Sequence, residues 1–95
     1  MQQAMLDLRA LLIENCRYIY RTKSHNVLGL KALRQKADAC QQHLTSGSPE
    51  EQRFKTLTRQ LKSHPKHHDA YHTLNALMDI KNSLERLMEN QQLTN

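Results

Sequence analysis

Tryptophan is absent from this 95-residue chain, and three Tyr and one Phe are its only aromatic residues. A core must therefore be assembled from Leu, Ile, Met and Ala. Glycine and proline occur twice each. So little punctuation disfavours a fold of many short strands and favours long helices. There are two cysteines, Cys16 and Cys40. They are too few for a disulfide framework, and their place on apolar helix faces reads as that of buried thiols. No apolar run exceeds the four residues from Ala10 to Ile13, against the roughly 20 that a membrane-crossing helix needs. The N-terminal stretch has no basic segment leading into an apolar one, so no signal peptide is expected and the cytoplasm is the expected compartment.

What is present is helical periodicity. Met5, Leu8, Leu12, Cys16 and Ile19 fall on one face of a first helix, from Gln3 to Arg21. Leu30, Leu33, Ala37, Cys40 and Leu44 alternate at spacings of three and four along a second helix, which Ser24 or Asn26 is placed to cap. Ser48, Pro49 and Glu51 form a capping box with proline at the first helical position. They open a short third helix, to Lys62, with the thin stripe Phe54, Leu57 and Leu61. A fourth helix is expected to start at or just after Pro65 and reach Asn90, with Ala70, Leu74, Leu77, Ile80, Leu84, Leu87 and Met88 as its core face and Lys81 snorkelling from it. The reading is all-α: one domain over residues 1–95, an antiparallel up-down four-helix bundle. A three-helix arrangement with an irregular third segment is the alternative.

The charge is uneven. Fourteen Lys and Arg stand against nine Asp and Glu, a formal charge of +5. From Asn15 to Ala37 there are six basic residues and no acid, and from Gln52 to His68 five more and no acid. In an up-down bundle the first and third loops share an end. Each centres on a Lys-Ser-His, and together they define a basic pole of Arg21, Lys23, His25, Arg59, Lys62, His64, Lys66, His67 and His68. An anionic partner, nucleic acid or another polyanion, would be attracted there. Neither zinc-finger spacing nor an aromatic RNP-type run accompanies it.

Clusters able to carry chemistry are few. His68 and His72 stand four apart and share a helix face, as metal-binding pairs do. That face lies opposite the Leu74–Leu77–Leu84 stripe and is open to water, so the histidines are expected to be solvated, and neither a metal nor a cofactor is expected. Arg59-x4-His64 has the spacing of an Arg-x(4–6)-His motif and so resembles the helical HEPN ribonucleases, which would imply an RNA-cleaving dimer. The resemblance covers six residues, with Gln60 where a more suitable polar neighbour of the Arg is usual and Pro65 directly after the His. The expectation is a protein without catalytic activity and without a small-molecule substrate.

The broad apolar arc of the first helix is the more informative feature. Beyond the core face, Leu6, Ile13 and Tyr20 form one flanking row, and Leu11 and Tyr18 belong to the other. Either this helix packs against all three others, or Leu6, Leu11, Ile13, Tyr18 and Tyr20 meet a partner. The expected function is a helical protein–protein interaction or adaptor module, self-associating or binding a different chain through that face. Nucleic-acid or polyanion binding at the basic pole is the second reading.

Overall fold

The computed structural model describes residues 2–45, 47–61 and 69–94, with side chains over 3–45, 47–61 and 69–90. Among the described residues four helices follow in order: α1 (Gln2–Thr22), α2 (Val27–Gln41), α3 (Pro49–Gln60) and α4 (Ala70–Thr94). They form an antiparallel up-down bundle about 40 Å long, with no strand among the described residues. The core draws on all four helices, including Met5, Leu8 and Leu12 of α1, Leu30 and Leu33 of α2, Phe54 of α3, and Leu77, Ile80 and Leu84 of α4. Among the described residues no helix is long and apolar enough to cross a membrane.

The seam of α1 differs from expectation at one position. Asn15, not Cys16, lies on the buried face, and Cys16 is half-buried at its edge. The spacing 8, 12, 15, 19 follows the helical repeat more closely than 8, 12, 16, 19, but a polar residue at 15 reads as solvated in sequence. Its amide Nδ2 donates to the Leu11 carbonyl at 2.8 Å, while Oδ1 is buried without a hydrogen-bond partner among the described residues. α1 ends where Lys23 takes a left-handed conformation, φ 60°, and its N–H bonds the Ile19 carbonyl.

Asn26 is the N-cap of α2, its side chain accepting from the Gly29 N–H at 3.0 Å. α2 stops at Gln41, earlier than the expected Leu44. Two tighter bonds, His43 N–H to Cys40 and Leu44 N–H to Gln41, then fold Leu44 back into the core. The capping box of α3 forms as its sequence dictates, with Ser48 and Glu51 each accepting from the other's backbone N–H. Thr58 joins Phe54 and Leu61 in being buried, while Leu57 is half-buried. Gln41 Nε2 donates to the Thr58 hydroxyl, tying the end of α2 to α3.

α4 begins at Ala70, with Asp69 accepting from the His72 N–H at 2.9 Å as a cap. The expected start at or just after Pro65 lies outside the described residues, as does all of Lys62 to His68; Asp69 is not helical, so the helix does not run into Ala70 from before it. Thr73 is wholly buried on the α4 core face and Leu74 half-buried, which reverses their expected order by one position. α1 lies along α4 and α2, and α4 lies along α3, whereas α2 and α3 meet narrowly. The first helix therefore has two principal neighbours, not three, and packing leaves Leu6 and Tyr20 of its broad apolar arc exposed.

Candidate functional site

The outward face of the second half of α1 is the floor of an open trough of about 960 Å³. Ile13, Glu14, Cys16, Arg17, Tyr18, Tyr20 and Arg21 contribute from α1. Leu74, Met78, Lys81 and Asn82 of α4 form one wall, and Asn26 bounds it at the loop. Helical repeat explains why these residues meet. Ile13, Arg17, Tyr20 and Arg21 recur at three and four residues along α1, while Leu74, Met78 and Asn82 recur at four along α4.

Three of the five apolar residues expected to meet a partner, Ile13, Tyr18 and Tyr20, line this trough. Tyr20 is 67% exposed and Tyr18 is half-buried against the core. Leu11 also packs on the core and lies outside the trough, and Leu6, 44% exposed, is nearer the N-terminus. The α4 wall was not anticipated. Its signal in the sequence is the apolar row Tyr71, Leu74, Met78, at spacings of three and four beside the core stripe. Met78 is 48% exposed in the trough, and Tyr71, 57% exposed, lies outside its lining.

The polar groups around the trough differ in what they are free to do. Lys81 donates to Glu85 Oε1 at 2.6 Å, and Arg9 approaches the same carboxylate at 3.7 Å. The Lys81 hydrogen bond holds the Glu85 carboxyl below its ordinary range. Arg17 and Arg21 have no ion-pair partner among the described residues. Burial pushes the Cys16 thiol above its ordinary value, with Lys81 pulling the other way, so the thiol in the trough is protonated at neutral pH.

The basic pole is only partly described. Lys62, His64, Lys66, His67 and His68 lie outside the described residues, and so does the histidine of the Arg59–His64 spacing. Arg59 is exposed near the end of α3. Arg21, in the last turn of α1, faces the trough, but Lys23 and His25 of the first loop are engaged within the fold. The Lys23 ammonium bonds the Tyr20 carbonyl at 2.7 Å and stands 4.5 Å from the Tyr20 ring centre and 5.7 Å from that of Tyr71. His25 Nε2 is 2.8 Å from the hydroxyl of the buried Thr73. His72 Nδ1 lies 2.8 Å from Asp69 Oδ1, so this exposed ring faces its own cap residue. Among the described residues no three His, Cys, Asp or Glu side chains gather where they could hold a metal ion.

No family model matches the chain, and no curated protein or solved structure matches it either.

Proposed function

We propose that the protein is a non-catalytic interaction module that docks a protein partner in the trough between α1 and α4. The observation that carries this reading is the convergence of Ile13, Tyr18 and Tyr20 from one helix with Leu74 and Met78 from another in a single open concavity. Tyrosine combines apolar area with a polar tip and suits a surface that is wet when empty and dry when filled. Contiguous apolar surface rimmed by charge marks interaction sites on small proteins. The test is purification of the tagged chain from its source, followed by light scattering, beside an Ile13→Glu, Met78→Glu variant of unchanged helicity. A stoichiometric partner or second copy that the variant loses supports the reading. A wild-type monomer without a partner, or a complex indifferent to both substitutions, defeats it.

A second reading is favoured by one observation, the exposed Tyr20 and Tyr71 rings whose centres both lie near the Lys23 ammonium, at 4.5 and 5.7 Å. Rings beside cations are a platform on which bases stack. This polyanion reading requires a gel shift that weakens steeply with salt and fails in Arg21→Glu, Lys23→Glu.

A further inference from the structure

We infer that the occupant of the trough is an amphipathic helix of a different chain, with carboxylates on the flank that meets Arg17 and Arg21. This rests on the trough being a docking surface, and goes further in stating what docks.

The walls decide the backbone conformation of the occupant. Both are α-helices whose own N–H and C=O groups are paired internally. They offer no strand edge, so an extended peptide laid between them would bury backbone groups with nothing to bond. A helix satisfies its own backbone and needs only a stripe of apolar side chains. Ile13 to Arg21 spans about 12 Å at about 1.5 Å per residue, which accommodates roughly two turns of such a partner.

The rim decides its charge. Glu14, Arg17 and Arg21 succeed one another along the floor, and the fourth charge, Lys81, is already paired with Glu85. Two guanidinium groups are therefore left for the occupant, both toward the loop end, with one carboxylate a turn before them. The complementary helix carries acids opposite Arg17 and Arg21 and none opposite Glu14. A second copy fits less well. A two-fold pairing of α1 with itself satisfies at most the reciprocal Glu14–Arg21 pairs, and it sets two chains of formal charge +5 against each other. A nucleic acid fits less well also, because Ile13, Leu74 and Met78 are aliphatic and Glu14 repels phosphate.

The test uses the full chain and two synthetic amphipathic helices that share one Leu-rich face and differ only in Glu-rich or Lys-rich flanks. Binding is read by fluorescence anisotropy at low and high salt. The Glu-flanked peptide is expected to bind at least about 10-fold tighter than the Lys-flanked one at low salt. Arg17→Glu, Arg21→Glu is expected to reverse that order, and Ile13→Glu, Met78→Glu to abolish binding of both. Circular dichroism checks the fold of each variant, and Ile13→Gln, Met78→Gln replaces the second variant if its helicity falls. Equal binding of the two peptides, abolished by the trough substitutions, overturns the charge inference and leaves the docking reading intact. So does failure of both peptides together with a dimer that Met78→Glu separates. Displacement of the Glu-flanked peptide from the wild-type trough by a single-stranded oligonucleotide overturns the inference in favour of the polyanion reading. Failure of both peptides with a monomeric chain, or peptide binding indifferent to the trough substitutions, overturns the inference and the docking reading together.

Discussion

A β-carbon added to Gly29 would stand 2.5 Å from Asn15 Oδ1, so any side chain at this position near the start of α2 has to push the buried Asn15 amide of α1 aside. The same point lies 2.4 Å from Asn26 Nδ2, within the side chain that caps α2. Gly29→Ala is therefore expected to destabilise, although alanine is favoured over glycine in helices by about 1 kcal/mol. Displacing the cap and overpacking the contact should outweigh that gain and leave a net loss of about 1–2 kcal/mol. Urea unfolding measures it. In an Asn15→Ala background the loss should shrink, because one of the two obstructing side chains is gone. A stabilised Gly29→Ala protein would refute the close approach.

Lys23 holds the left-handed conformation that ends α1, a conformation that costs an L-residue roughly 1–2 kcal/mol. Glycine adopts it freely. Lys23→Gly forfeits the contact with the Tyr20 ring, which at an exposed site contributes about 0.5–1 kcal/mol. The net expectation is a small stabilisation, of the order of 0.5 kcal/mol. Lys23→Ala keeps the backbone strain and loses the ring contact, so it should destabilise. The two variants moving in opposite directions in thermal melts is the outcome to look for.

Asp69 caps α4, and bonds from the His72 N–H and then the His72 ring hold its carboxyl below the ordinary value. A carboxyl depressed in the folded state stabilises fully above its unfolded value of about 4 and loses that contribution as pH falls through the lower folded value. The stability difference between wild type and Asp69→Ala should thus be constant at neutral pH and vanish in stronger acid. Asp69→Asn keeps a capping group but cannot titrate, and should flatten the acid limb. Parallel acid limbs for all three proteins would show that the cap does not carry this pH dependence.

Burial raises both thiols above their ordinary value. A disulfide-exchange reagent at mildly alkaline pH should therefore modify both more slowly than a free thiol. Cys40 is wholly buried and should react only as the bundle opens, whereas half-buried Cys16 faces the trough and should react first. Any molecule seated in the trough should slow Cys16 selectively, which mass spectrometry of the labelled sites would read directly. Equal protection of the two cysteines would place the bound molecule elsewhere.

Phe54 is the only phenylalanine and is wholly buried, whereas Leu57, one turn on, is half-buried. Phe54→Ala should cost about 3–5 kcal/mol, enough to unfold a chain of this size in part. Leu57→Ala should cost well under half as much. Comparable losses would mean that α3 is seated differently.

Much of this architecture is written in apolar spacing. The α2 seam from Leu30 to Leu44 is buried at every expected position, and the box of Ser48 and Glu51 forms where the sequence puts it. What spacing conceals is polar burial. Asn15, Thr58 and Thr73 each occupy a core position that pattern reading assigns to a neighbouring apolar residue; Asn15 bonds a carbonyl of its own helix, while Thr58 and Thr73 bond Gln41 and His25, groups a sequence does not place. The trough was half legible for a related reason. The arc of α1 announces surplus apolar surface, but Leu74 and Met78 become its wall only through the way α4 lies against α1. The first loop hides its engagement too, since nothing in Lys-Ser-His foretells a tether to Thr73 or a cation resting on tyrosine rings.

The most extensive contact between any two helices joins α1 to α4, the helices farthest apart in the chain. On the ribosome α1 is made before the other three helices and finds α2 first, but the larger of its two contacts waits until α2, α3 and the connections between them have been made. The bundle is thus finished by its latest helix, and a nascent chain stalled before Ala70 presents the α4-facing side of α1 to whatever chaperone or neighbouring chain reaches it first.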